Sequence, residues 1–308
     1  MIEEGLSESK ATGIGSHAEN ASTASGVFSH SEGKGSIAYG NYSHAEGQST
    51  KAYGHASHAE GDRTVTSSTA AYSHVEGHAT LAEGAHAHAE GQYTVASGVD
   101  SHAENYYTTA SGNYSHAEGG GTVASGMYSH AGGYKSTASG NGARSEGGAR
   151  YVDNNGKTQA LNGGTASGHG SHAEGIGTTA SGLGSHAEGK ETTASGNYSH
   201  AEGYKNTSEG LYSHAEGGGT KATGQYSHAE GCNTIANGKQ SHACGYETIA
   251  NNSSEFACGK YNNSQEDTLF SIGNGTKSNR KNALEVKNNG DIYILIDGVP
   301  TKLQDLLK

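Results

Sequence analysis

The chain has 308 residues but one proline (Pro300), no tryptophan, three phenylalanines, three cysteines and only 19 lysines and arginines. Apolar residues make up 31% of it, against about 45–50% in an ordinary globular domain, which excludes a conventional core of large aliphatic side chains. The 19 basic residues face 31 acidic ones for a formal charge of -12. Nucleic-acid binding needs clustered Lys and Arg to neutralise phosphates, so neither that partner nor another polyanion is expected. Nowhere do 18 apolar residues run together, and residues 1–10 have neither a basic nor an apolar signal region. The expectation is a soluble chain without membrane insertion or secretion signal, one that enters its first repeat so early that it reads as a piece of something longer. Cys232, Cys244 and Cys258 lack the paired close spacings of a zinc site and do not fix a redox compartment.

What is abundant is glycine, 50 residues of it, and its spacing is periodic. The pentapeptide Ser-His-Ala-Glu-Gly and its variants place histidine at 17, 30, 44, 58, 74, 88, 102, 116, 130, 172, 186, 200, 214, 228 and 242, mostly 14 residues apart, with Arg144 and Phe256 in the same slot. Seven residues after each comes Thr-x-Ala-x-Gly, as in Thr94 to Gly98, Thr108 to Gly112, Thr122 to Gly126, Thr178 to Gly182 and Thr192 to Gly196. Each 14-residue unit is thus two halves of seven. Period-2 alternation sends Ser/Thr, Ala and Gly to one face and the two x residues to the other. A face of such small residues suits two short strands across a narrow gap, joined by Gly-x-x turns in which glycine takes positive φ. Stacking the coils about 4.8 Å apart pairs each strand in parallel with its equivalent. A helical solenoid is set aside, because glycine every seventh residue costs a helix about 1 kcal/mol each.

The predicted organisation is a lead-in over 1–8, an all-β parallel β-roll or solenoid of 14-residue coils over 9–259, and a C-terminal β segment with a short helix over 260–308. Residues 150–163 depart from the repeat and read as an inserted hairpin around an Asn-Gly turn, a degenerate coil being the alternative. A two-residue excess at Thr64 to Ala71 reads as a bulged turn. Thr268 to Gly273 and Asn282 to Ile296 read as strands, and Thr301 to Leu307 opens a helix too short to stand without self-association.

The paired half-repeats, as in Thr94 to Gly119, resemble the YadA-like head repeats of trimeric adhesins over about four-fifths of the chain. That resemblance implies a left-handed parallel β-roll and a homotrimer with three chains side by side. Here the x positions depart from the family's Val and Ile by carrying His and Glu, with Val95, Val123, Ile235 and Ile249 only sporadic on the other strand, which leaves open which face meets the other chains. The C-terminal segment resembles the ends of phage tail-fibre and appendage proteins. The resemblance therefore implies a structural, receptor-binding fibre on a virion tail, attached to a host cell-surface glycan or protein. The alternative is the head of a bacterial trimeric surface adhesin on the cell surface.

The candidate site residues are one column of pairs: His44 with Glu46, His58 with Glu60, His88 with Glu90, His102 with Glu104, His116 with Glu118, His172 with Glu174, His186 with Glu188, His200 with Glu202, His214 with Glu216 and His228 with Glu230. Stacked ladders of fully ionised Glu repel, so His–Glu hydrogen bonding at a trimer contact is one reading. A solvated polar face is a second. A metal array is a third, disfavoured because a single column rarely offers tetrahedral closure, so no metal or cofactor is assigned. Acidification through the histidine range is expected to loosen the trimer. A tyrosine precedes Ser-His at 42, 72, 114, 128, 198, 212 and 226, read first as packing and second as a contact surface. Tyr151, Asn154, Asn155 and Lys157 in the insertion are possible ligand contacts. No enzyme is expected: adjacent Ser and His point to opposite faces, and no phosphate loop or calcium repeat is present.

Overall fold

A computed structural model of the chain describes residues 8–152, 155 and 157–307. The chain divides into two compact units, Met1–Gly163 and Gly164–Lys308. The first unit is a parallel β-solenoid. Its His-bearing strands, from His17–Ala18 through His88–Gln92 to Arg144–Gly147, pair each with the next so that His lies on His and Ala on Ala. The opposite wall is a ladder of two-residue strands such as Val95–Ala96, Thr109–Ala110 and Val123–Ala124, again parallel and in register. Beyond the last coil of this unit, Ala149–Val152 pairs antiparallel with Thr158–Leu161. Among the described residues no helix is long and apolar enough to cross a membrane.

The second unit repeats the plan, with His strands from His172–Ile176 to Phe256–Lys260 and facing two-residue strands from Thr165–Ala166 to Ile249–Ala250. Thr268–Asn274 adds one more parallel strand, and the pairing then reverses. Asn282–Lys287, Ile292–Ile296 and Val299–Lys302 follow as an antiparallel run, ending in a four-residue helix, Leu303–Leu306, that buries nothing. Arg280 staples this segment to the roll: its guanidinium donates to the carbonyls of Glu247 (2.7 Å) and Asn262 (3.2 Å) and lies over the Tyr261 ring.

Between the two walls there is room for a methyl group and little else. Ala96, Ala110 and Ala124 on one side and Ala89, Ala103 and Ala117 on the other are fully buried. The flanking Ser and Thr are buried too, and many of their hydroxyls bond nearby carbonyls, although others, such as those of Thr80 and Thr94, have no partner. Ser101 and Ser115 donate to the carbonyls of Gly98 and Gly112 three residues back, at 2.7 and 2.6 Å. Thr108 and Thr122 donate to the carbonyls of Glu104 and Glu118 four back, at 3.0 Å. The hydroxyl slots thereby satisfy the turn carbonyls that a narrow core would otherwise strand. One buried methyl and one backbone hydrogen bond each contribute about 1 kcal/mol net, so the ladders and the alanine column share the stabilisation.

The two glycines of each unit differ, which corrects the expectation that both face the core and that glycine supplies the positive φ of the turns. Glycine of the Thr half is buried at an ordinary φ: a Cβ on Gly98 would stand 2.0 Å from the Gly112 carbonyl oxygen of the next coil. Glycine of the His half is exposed and left-handed, as at Gly47 (φ +107) and Gly91 (φ +101). The turn itself is carried by a residue that is often not glycine. Tyr42, Tyr114, Tyr128, Tyr198, Tyr212 and Tyr226 sit at φ between 56 and 59, a conformation costing about 1–2 kcal/mol. A ladder bond to the preceding coil offsets the strain, as in Tyr198 N–H to the Leu183 carbonyl at 2.7 Å. The two-residue excess is absorbed in the turn between Thr66 and Ala70, where Ala70 N–H closes onto the Ser67 carbonyl.

Gly196→Ala would place a Cβ 2.1 Å from the Gly210 carbonyl oxygen, whereas Gly218 has nothing within 4 Å and an ordinary φ. We expect Gly196→Ala to lose about 3 kcal/mol or more of stability and Gly218→Ala less than about 1 kcal/mol. Urea denaturation of the two variants checks this, and equal stabilities would contradict the narrow-gap account.

Candidate functional site

Because His and Glu are the outward residues of a strand whose Ala is buried, register alone turns them into parallel columns. The imidazoles stack at centroid separations of 4.8 Å with interplanar angles of 4° or less for His44/His58, His88/His102, His102/His116, His172/His186 and His186/His200. The glutamates fall in the same register, Glu46 on Glu60, Glu76 on Glu90, and Glu174 through Glu188, Glu202 and Glu216 to Glu230. Eighteen of the twenty candidate pair residues lie on the His-bearing strands and Glu104 and Glu118 directly follow theirs, ten residues in each unit. Of the insertion candidates, Tyr151 is in the first hairpin strand, Asn155 and Lys157 are exposed, and Asn154 lies outside the described residues.

Contacts between the columns follow two patterns. Across coils, Nε2 of His102, His116 and His130 approaches Glu90, Glu104 and Glu118 at 3.3, 3.2 and 3.2 Å. His74, His214, His228 and His242 repeat the arrangement at 3.4–3.6 Å toward the preceding glutamate. Within one strand, His44 and His186 lean toward Glu46 and Glu188 at 3.6 Å. These longer distances are beyond good hydrogen-bond reach. The Nε2 atoms of His58, His88 and His200 are buried with no hydrogen-bond partner at all.

Burial, and then the neighbouring imidazoles, hold His44, His58, His88, His186 and His200 below the usual histidine range. The crowded carboxyls share protons. Hydrogen bonds to Glu46 and Glu76 push Glu60 up to about 7, and Glu90 rises through its bond to Glu76, while Glu76 is lowered by the same bonds.

Sequence reasoning passed over three buried polar residues that tune individual coils. Asn206 replaces the Thr hydroxyl: its side-chain amide donates to the carbonyls of Glu202 and Gly217, and its oxygen accepts from Thr220 N–H at 2.8 Å. Asn262 does the same one strand from the end, reaching Ile249 and Ser271. Glu255 stands in the Ser slot, fully buried, and its carboxylate accepts from Asn251 N–H, Asn252 N–H and Ser264. Their signal was a single break in the hydroxyl column, visible once the slots are aligned. The tyrosines of the turns stack ring on ring, Tyr114/Tyr128 at 4.8 Å and Tyr198/Tyr212/Tyr226 at 5.1 and 5.2 Å, yet remain about half exposed.

Each unit is thus an all-β parallel solenoid of 14-residue coils whose outer strands carry a polar His–Glu column, which gives way to Arg144 at the end of the first unit and to Phe256 near the end of the second. The family description YadA head domain repeat matches the chain twice, over residues 20–43 and 89–115. The two matched stretches are thus similar to YadA head repeats, which are structural, adhesin-type features, and the parallel solenoid is consistent with that likeness. No curated protein matches it significantly.

Two expectations follow. The lowered histidines favour the folded state above the ordinary histidine pKa of about 6.5 and lose that contribution as pH falls below it, whereas raised Glu60 and Glu90 act in the opposite sense, their contributions fading as pH rises through their raised ranges, to about 7 for Glu60. Histidines outnumber them, so the melting temperature should fall between about pH 7.5 and pH 5.5, and fall further in Glu60→Gln. A melting temperature that climbs on acidification would refute this. Separately, Cys244 and Cys258 are unbonded neighbours; burial pushes the Cys244 thiol up to about 11 and raises Cys258 as well, whereas Cys232 is exposed. Iodoacetamide at about pH 8 should alkylate Cys232 well before Cys244, read by peptide mass spectrometry.

Proposed function

We propose that this chain is a homotrimeric structural and receptor-binding fibre protein of the phage tail-fibre or appendage kind, which attaches a virion to a host cell-surface glycan or protein. The observation that carries the reading is the YadA-like head repeat in its solenoid form, since heads of that type are trimeric adhesins. The C-terminal segment supports self-association: Val299, Leu306 and Leu307 are exposed around a four-residue helix that no side chain caps, and such a helix needs a neighbour. In this reading residues 1–8 are a lead-in, 9–259 the display roll and 260–308 the trimerisation segment. The His–Glu column, with its unpartnered Nε2 atoms, is the face turned toward the other chains, and the insertion carrying Tyr151, Asn154, Asn155 and Lys157 contacts the ligand. The role is non-enzymatic, because a repeated flat face assembles no catalytic cleft.

The match to YadA head repeats supports equally one second reading, the head of a bacterial surface adhesin. The C-terminal likeness to phage appendages favours the first. Multi-angle light scattering should give three times 31.3 kDa, and a glycan and cell-binding screen should register the wild-type chain but not a variant lacking residues 150–163. A monomeric mass would overturn the trimer, and equal binding by the deletion variant would overturn the insertion's role.

A further inference from the structure

We propose that the His–Glu column is a binding array for divalent transition-metal ions of the zinc class, each ion held by the imidazoles of two successive coils and the carboxylate between them. The groups His44–Glu46–His58, His88–Glu90–His102, His102–Glu104–His116 and His186–Glu188–His200 each bring three ligand atoms within 4.8 Å of one another. All three come from one chain, so the inference goes beyond the attachment reading and stands whether or not the chains trimerise.

Three features of the column point to a cation rather than to hydrogen bonding alone. The first is spacing. Zinc binds imidazole nitrogen and carboxylate oxygen at about 2.0–2.1 Å, and the edge of a tetrahedron with such bonds is about 3.3 Å. The separations of His102 from Glu90, His116 from Glu104 and His130 from Glu118 are 3.3, 3.2 and 3.2 Å. The two imidazoles of each group are stacked nearly parallel at 4.8 Å, so both must tilt out of the stack by side-chain rotation to turn their Nε2 lone pairs onto one ion. The fourth position faces away from the roll, where water or a neighbouring chain closes it.

The second feature is the set of buried Nε2 atoms without partners, including those of His58, His88 and His200. A buried donor or acceptor left unpaired is destabilising, and the repeat multiplies that cost along the column. A coordinated ion converts these nitrogens into ligands. The third is charge. Glutamates in direct register on neighbouring strands, such as Glu188, Glu202 and Glu216, repel one another, and a divalent ion between them reverses the sign of the interaction. Imidazole with carboxylate selects zinc, nickel or copper over calcium or magnesium, which take oxygen ligands.

The geometry also limits the stoichiometry. Each Nε2 has one lone pair, so His102 serves either the Glu90 site or the Glu104 site. Ions therefore occupy every second coil at most, roughly 10 Å apart. The test uses the full chain without an affinity tag, stripped with chelator and titrated with Zn2+ by calorimetry and with Co2+ by visible absorption, its mass measured by light scattering on the same sample. Several Zn2+ per chain are expected, with the intense visible bands of tetrahedral Co2+. Glu90→Gln/Glu104→Gln/Glu118→Gln, which keeps the imidazole stack, should bind fewer ions, and Glu209→Gln, off the column, should bind as many as wild type. Should the triple variant lose its β-sheet circular dichroism, Glu202→Gln alone replaces it: the six histidines of the second unit form three sites only as His172/His186, His200/His214 and His228/His242, so this variant should still bind fewer ions. Absence of Zn2+ binding, octahedral Co2+ spectra, or a stoichiometry unchanged by the column variants would overturn the array. A monomeric mass with full Zn2+ binding would overturn the trimer and leave the array standing.

Discussion

Everything in this molecule depends on how closely successive coils and opposite walls approach. At Gly98 the next coil's carbonyl oxygen lies where a Cβ would be, and across the gap only alanine methyls meet. From that single steric limit follow the residue choices inside, small hydroxyl residues whose nearest acceptors are local carbonyls, and the short strands. A wider core would have admitted valine and isoleucine and released the register. Val75, in an alanine slot, and the lengthened turn after Thr66 belong to adjoining parts of the same irregular coil.

The outer face is a consequence rather than a cause. Once alanine fixes the register, the residues on either side of it are carried into columns whatever their chemistry. Like groups are then forced together at strand spacing. The stacked imidazoles, the proton-sharing carboxyls and the stacked tyrosines of the turns are three outcomes of that enforced proximity. Protonation, cation binding and contact with another chain are the three ways such a surface can lower its free energy, and all act on the same atoms.

Much of this was legible in the sequence. The 14-residue rhythm, the parallel pairing, the inward alanines and the His and Glu columns follow from period-2 alternation and a fixed repeat, as in Thr94 to Gly98 beside Ser101 to Glu104. Other features were not. Nothing in the string separates Gly91 from Gly98, because glycine is used once for its φ and once for its missing Cβ. Asn206, Asn262 and Glu255 look like decay of the hydroxyl column until their hydrogen bonds show them replacing it.

The sequence by itself determined the repeat, the strand direction and the chemistry of each face, because a strict period leaves a solenoid no other register. Only the tertiary structure decided which turn residue bears the left-handed strain, which glutamate each histidine leans on, and which Nε2 atoms end without a partner. Those outcomes depend on offsets of a few tenths of an ångström between coils that a repeating string of letters presents as identical, and only the packed backbone distinguishes them.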